Sequence, residues 1–335
     1  MAVTQRPHAG HGVRQPGEGT PVRQHPSARR TISLDIVRPD GLAGDLLLAG
    51  RARDLHTGTD GTARILDAAT MEATVEFPAS RVIRTLRTSP QWPGSTALVG
   101  ARASSGFRTA LQGLDPDRGR SALFQLLDDI PVATLIAGQA QLAEREVPGT
   151  PQLPIAVVAN VCAGWRDGGV MATGLAAGRA PVVYGPPAPS LADPDDPLAW
   201  HDMAPGEPTM MRRSRRLDVV PTSGGWLIEA FLRDSHWPGS GPARGGETVI
   251  HEYLVRARLS TDLVIIDLEV IAHVLPWQDC LPAAARPREL VGTRLDDLDA
   301  RVRAEFMGTS SCTHLNDILR SLAGVRTLAG AVAGW

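Results

Sequence analysis

The chain has 335 residues, a formal net charge of -2 and 43% hydrophobic residues, which is apolar content enough for about two domains and no electrostatic footprint for nucleic acid. All 34 of its basic residues are arginine, which excludes chemistry that needs a lysine: a Schiff base, a phosphate-loop lysine or a kinase-type lysine. No stretch approaches the roughly 20 apolar residues of a membrane span, and three widely spaced cysteines make a poor disulfide framework, which fits a reducing cytoplasm.

Residues 1–29 are rich in Gly, Pro, Gln, His and Arg and read as a disordered tail in which His8, His11 and His25 are solvated. They lack the apolar run of a secretory signal. A first unit spans about 30–143. A Pro/Gly-rich connector, 144–211, carries the apolar segment Val157–Trp165, read as a short helix, and an exposed loop over Pro186–Trp200. The second unit, 212–335, repeats the first. Leu34-Asp35-Ile36-Val37 matches Leu217-Asp218-Val219-Val220, and Arg53-Asp54-Leu55-His56 matches Arg233-Asp234-Ser235-His236. Leu98-Val99-Gly100-Ala101-Arg102 matches Leu290-Val291-Gly292-Thr293-Arg294, and Ala122–Leu127 then falls on His314–Leu319. Four blocks in one order at similar spacing indicate a tandem duplication.

Within the second unit, Arg216–Val220, Trp226–Asp234, Thr248–Leu259 and Leu263–Val274 have the alternation of strands, with Ser223-Gly224-Gly225 and Ser260-Thr261-Asp262 as turns. Arg288–Phe306 changes to helical spacing. Thr309 or Ser310 caps a last helix that Gly324 closes or that continues over Val325–Val332. The expected fold is α+β: two tandem copies of an antiparallel meander followed by helices, packed as a pseudo-dimer that leaves the chain monomeric.

Only the second unit has cysteines. Cys312-Thr313-His314 opens the last helix, where the dipole and unpaired amides favour a thiolate. His251 opens the third strand and Cys280 follows the fourth, so the hairpin returns both to one sheet edge. His251, Cys280, Cys312 and His314 are thus candidate ligands for zinc or iron, closed with four ligands or open to water with three. The alternative is that the cysteines are small buried hydrophobes. Positions 312 and 314 correspond to Arg120 and Ala122, and His251 falls near Ala69, so the first unit lacks the set. Asp234 and His236 recur as Asp54 and His56, which favours a structural role, with a general base as the catalytic reading of Asp234. Tyr253, two residues beyond His251, is either an ordinary packed tyrosine or a second catalytic candidate that reaches the same site. Cys162 and Trp165 read as packing. Nucleotide-loop and nucleophile-elbow motifs are missing.

The second unit resembles the bacterial domain-of-unknown-function family 2889. The residues that carry the likeness are Met211–Val219, Leu232-Arg233-Asp234, His251, Pro276 with Cys280, Leu290-Val291-Gly292 and Cys312-Thr313-His314-Leu315. Val161–Trp165 resembles the connector of longer, duplicated members. Ser311 departs from the usual glycine before the cysteine, and His236 from a common lysine. The order of elements is also similar to iron–sulfur cluster scaffold proteins, with a ligand at a strand start, a hairpin, a cysteine after it and a His/Cys pair opening a late helix. Both likenesses imply a metal site and neither names a reaction. The functional expectations are a metal-dependent hydrolase, hydratase or lyase on a small organic substrate; a non-catalytic protein with a structural metal, or a metal or cluster carrier; or a metal-free ligand-binding or assembly module.

Overall fold

The structure, a computed structural model, describes residues 10–104, 106–115, 120–144, 159–178, 182–240 and 244–334. Residues 1–9, with His8, and Val157-Val158 lie outside these. Eight strands form one antiparallel sheet: β1 (Ser27–Val37), β2 (Leu46–Thr57), β3 (Ala63–Val75), β4 (Ile83–Ser89), β5 (Met211–Thr222), β6 (Gly225–His236), β7 (Thr248–Ser260) and β8 (Ile265–Val274). Their order is β4-β3-β2-β1-β5-β6-β7-β8, so each half of the chain is a meander and the two first strands, β1 and β5, join them.

The helices are α1 (Ser95–Leu98), α2 (Phe107–Leu114), α3 (Ala122–Asp128), α4 (Ile130–Ile136), α5 (Gly138–Glu144), α6 (Val170–Ala176), α7 (Leu295–Glu305), α8 (Thr313–Ser321) and α9 (Val325–Ala333). They gather on one face of the sheet and enclose the main apolar core with it. The α+β class and the antiparallel arrangement thus follow the sequence reading. The expected helix over Arg288–Phe306 is shorter: Pro282 and Pro287 keep Gln278–Leu290 in 3-10 form, and α7 begins only at Leu295.

β5 starts five residues earlier than its hydrophobic pattern suggests, because its leading arginines are buried and paired. Met211, Leu217 and Val219 enter the helix-side core. Between them, Arg213 and Arg215 reach Asp129 on the same side, at 3.3 and 2.7 Å. On the opposite face Arg212 pairs with Asp35, and Arg216 with Asp218. Period-2 alternation survives here with arginine in place of aliphatic residues.

That opposite face is also covered, which corrects two expectations. Residues 10–29 are not a solvated tail. Gln15 N donates to His273 O at 2.9 Å, Arg23 pairs with Asp196 at 2.7 Å, and Ser27 already begins β1. The Pro186–Trp200 segment is not simply an exposed loop: Leu191 and Trp200 pack with Phe231 and Leu254 in a second apolar cluster. A meander with a hydrophobic outer face needs such a cover, and the Pro-rich segments supply it. The approach is close at Gly185, where an added Cβ would lie 1.8 Å from Val249 O.

His201, in the same cover, hydrogen-bonds Ser33 Oγ through Nε2 at 2.7 Å and Thr31 Oγ1 through Nδ1 at 2.8 Å. Burial, aided by Arg53, Arg51 and Arg212, lowers its pKa to about 3. The unfolded chain therefore binds this proton first. The contribution is constant above the unfolded pKa of roughly 6.5, and stability falls by about 1.4 kcal/mol per pH unit as pH drops from there toward the folded value. Urea midpoints measured from pH 7 to 4 should show this slope, and His201→Gln should remove that share of it; an unchanged slope in the variant would refute the assignment.

Candidate metal centre

The site lies where β6, β7 and the start of α8 meet. Asp234 on β6 is paired directly with His251 on β7, and the next pair is Ser235 with Val249, so Ile250 is an extra residue in a β-bulge. A bulge re-aims neighbouring side chains, and this one sets Asp234 and His251 side by side at a cavity wall. His314 arrives from the first turn of α8, whose N-cap is Cys312. The Ser311 carbonyl accepts from Ala163 N at 2.9 Å, which ties the helix start to the connector.

One ligand atom each from Asp234, His251 and His314 lies within 4.8 Å of the other two. His314 Nε2 is 3.5 Å from Asp234 Oδ2, and the two imidazoles stack with centroids 3.7 Å apart. Among the described residues Asp234 Oδ1, His251 Nδ1 and His314 Nε2 are buried and make no hydrogen bond; their nearest polar contacts include long ones of 3.5 Å, from Asp234 Oδ1 to Arg213 and from His314 Nε2 to Asp234 Oδ2. Three such atoms from three elements are costly unless something in the cavity binds them. Burial raises the Asp234 pKa to about 7, against the pull of Arg213. It lowers His314 to about 3 and places His251 well below its usual value, with Arg213 and, for His251, the neighbouring ring adding repulsion. The two imidazoles are kept neutral with their lone pairs free for a cation, while the Asp234 carboxyl, near its titration point at neutral pH, would exchange its proton for the ion.

A cavity of about 450 Å³ opens from this cluster. Its walls include Cys162, Trp165, Trp277, Cys280 and Cys312 from the second half and connector, and Phe77, Arg81, Ile136 and Leu142 from the first half. His251 borders this cavity and is partly accessible along its wall.

The four ligands expected from sequence are only partly assembled as a set. His251 and His314 converge, but Asp234 completes their group; neither Cys280 nor Cys312 is in it. Cys312 Sγ contacts His314 Nδ1 at 3.8 Å and stands beside the Tyr253 hydroxyl. Gly164 lies against Cys280, with room for no more than hydrogen: an added Cβ would sit 2.9 Å from Cys280 Sγ. All three cysteines are free and buried. The expected thiolate at the α8 N-terminus is also corrected. Burial raises the Cys312 thiol pKa, outweighing the nearby Tyr253 hydroxyl and the amides of Leu315 and His314. Burial likewise pushes Cys162 up to about 11 and Cys280 and the Tyr253 phenol well up.

Behind Asp234 stands Arg213, fully buried. Its contacts to Asp234 are long, at 3.5 Å, while it reaches Asp317 at 3.1 Å and Asp129 at 3.3 Å. Arg108 joins Asp317 at 2.8 Å and Arg215 joins Asp129 at 2.7 Å. The Asp317 carboxyl is held low: burial opposes this, and Arg108, Arg213, Arg320 and Arg215 together outweigh it. Sequence reading missed this network. Its only trace was the run Arg212-Arg213-Ser214-Arg215-Arg216 beside an apolar segment, since a charge run that must enter a sheet needs buried acids.

Residues 211–327 match the model of a family described as a protein of unknown function (DUF2889). The DUF2889 match runs from β5 into α9 and contains all three clustered residues. The first-half wall of the cavity, Phe77, Arg81, Ile136 and Leu142, lies outside it. No curated protein and no solved structure compared with the chain gives a match. Among the described residues no helix is long and apolar enough to cross a membrane.

Proposed function

We propose that this protein is a metal-dependent enzyme, in which Asp234, His251 and His314 hold a divalent ion, zinc or iron, at the end of an apolar cavity that takes a small organic substrate. The observation that carries this is the convergence on that cavity of three buried ligand atoms that make no hydrogen bond among the described residues. Two histidines and one carboxylate leave coordination positions open, as hydrolytic zinc and non-haem iron sites require. A metal-bound water serves hydrolysis, hydration and lyase chemistry alike. Asp234 then acts as a ligand and not as the general base. Tyr253, kept neutral by burial, has the role of proton donor near the Cys312 thiol. A structural metal fits less well, because a closed shell needs a fourth protein ligand and the cysteines stand outside the group.

The two halves serve as tandem copies in this reading, the first shaping the pocket of the second. Arg30 pairs with Asp54 across β1–β2 and reaches Gln125 Oε1 at 3.1 Å, as Arg213 pairs across β5–β6 with Asp234 and reaches Asp317 at 3.1 Å. A bulge follows Asp54 as one follows Asp234, and Asp67 occupies the place of His251. These matches support a duplication whose first copy has lost the ligands, and a chain that needs no second subunit.

X-ray absorption of the protein with its bound metal tests the ligand set. The expected first shell is nitrogen and oxygen near about 2.0–2.2 Å with an open position; sulfur scattering near about 2.3 Å would overturn it in favour of the cysteines.

A further inference from the structure

The cavity has a second polar feature. Arg81, in the turn between β3 and β4 of the first half of the chain, lines the same cavity as the β6–β7 ligands. Among the described residues Arg81 has no ion pair: the salt bridges near that turn belong to Arg84, with Asp45 and Glu76. Its guanidinium is partly desolvated, which lowers its pKa. Arg81 also has a positive φ of 54°, a region that costs a branched-out side chain like arginine energy and that persists where surroundings hold it. The surroundings are visible: Arg81 O accepts from Ala103 N at 2.7 Å, and Val82 bridges Arg102. The backbone thus fixes a cation without a counter-ion on the wall of an apolar cavity.

We infer that the cavity binds a mainly apolar carboxylate, with its acid group on Arg81 and its carbon chain in the apolar space that Arg81 shares with the Asp234–His251–His314 cluster. This names a substrate class for the site proposed above and rests on that reading only for what happens at the metal. The other walls include Phe77, Ile136, Leu142, Trp165, Met171 and Trp277, which are mainly apolar, and no second arginine lines the cavity. At about 30 Å³ per water-sized group, 450 Å³ holds roughly fifteen such groups. That suits a chain of about ten carbons with a carboxylate. A single guanidinium makes a two-pronged match to a carboxylate, and burial strengthens it.

Decanoate and 1-decanol titrated against the full-length protein, followed by the fluorescence of Trp165 and Trp277 and by calorimetry, provide the test. Decanoate should bind at least about tenfold more tightly than the alcohol, the worth of one charge-assisted contact. Arg81→Gln should bring the two ligands to equal affinity, and Arg81→Lys should restore part of the preference. The same titration on chelator-treated protein separates this inference from the metal reading. A preference for the acid that persists without metal and vanishes with Arg81→Gln supports the Arg81 site even if no metal is ever found. A preference that vanishes with the chelator and ignores Arg81→Gln overturns it, because the carboxylate would then be a metal ligand. Equal binding of acid and alcohol by the unaltered protein overturns it without any variant having to fold.

Discussion

Replacing His251 or His314 with alanine is expected to leave the protein with less than about a tenth of an equivalent of transition metal, where the unaltered protein holds about one. The reason is that three protein ligands are the minimum for a tight open site, and removing one leaves a pair that free solvent ligands can displace. Asp234→Asn should have nearly the same effect, because it keeps the shape and removes the charge that offsets the divalent ion. Cys312→Ser and Cys280→Ser should retain the metal, since neither thiol belongs to the group. Elemental analysis of the five variants beside the unaltered protein decides between the sets. Stability offers an independent reading: a ligand at one hundred times its dissociation constant stabilises the folded state by about 2.7 kcal/mol. Added metal should therefore raise the urea midpoint of the unaltered protein and of the cysteine variants, and leave the histidine variants where they are. Metal loss in Cys312→Ser with full retention in Asp234→Asn would be the contrary outcome.

Arg213→Leu is expected to cost about 3–5 kcal/mol, the largest single loss of stability among the charged residues. Asp129, Asp234 and Asp317 are all essentially without solvent contact, and Arg213 touches each of them. Removing it leaves three acids to Arg108, Arg215 and Arg320, with Asp234 left without its arginine. An uncompensated buried charge costs more than the pair itself contributes, which sets the magnitude. The same change should show a second signature. With Arg213 gone, the repulsion that helps hold down His314 and His251 is gone too, and Asp234 loses its attractive partner. Urea unfolding measures the first effect. Histidine titration by NMR measures the second and expects His314 to move up from about 3. A loss under about 1 kcal/mol with unmoved histidine titration would show that the network is not what holds Asp234.

Much of the fold could be read from residue order alone. The strands Trp226–Asp234 and Thr248–Leu259 differ from the observed β6 and β7 only at their ends, because half-buried strands write their burial as alternation. β5 was cut short for the opposite reason. Arg212, Arg213 and Arg215 are buried by pairing with acids from β1, α8 and the α3–α4 junction, and a strand's sequence carries no mark of partners that stand 86 to 177 residues away. The N-terminal segment failed the same way: its Gly/Pro/Arg composition describes how it would behave alone, not the polar anchors Asp196 and His273 O that it finds on the sheet.

The site divides along the same line. The sequence by itself determined that one half carries histidines and cysteines the other lacks, that His251 stands at a strand start and that His314 stands at a helix start. Local periodicity and capping are short-range properties and need no tertiary contact. Only the tertiary structure decided which of these residues meet. The bulge at Ile250 turns His251 toward Asp234, and the depth of the cavity sets the thiols apart as neutral wall residues. Retention of Asp234 in both halves favours a scaffold role over the general-base alternative. In the folded protein Asp54 keeps the pairing with its arginine, and Asp234 keeps a longer one while His251 and His314 stand beside it in place of Asp67 and Ala122. Register across strands, not identity along them, makes that difference.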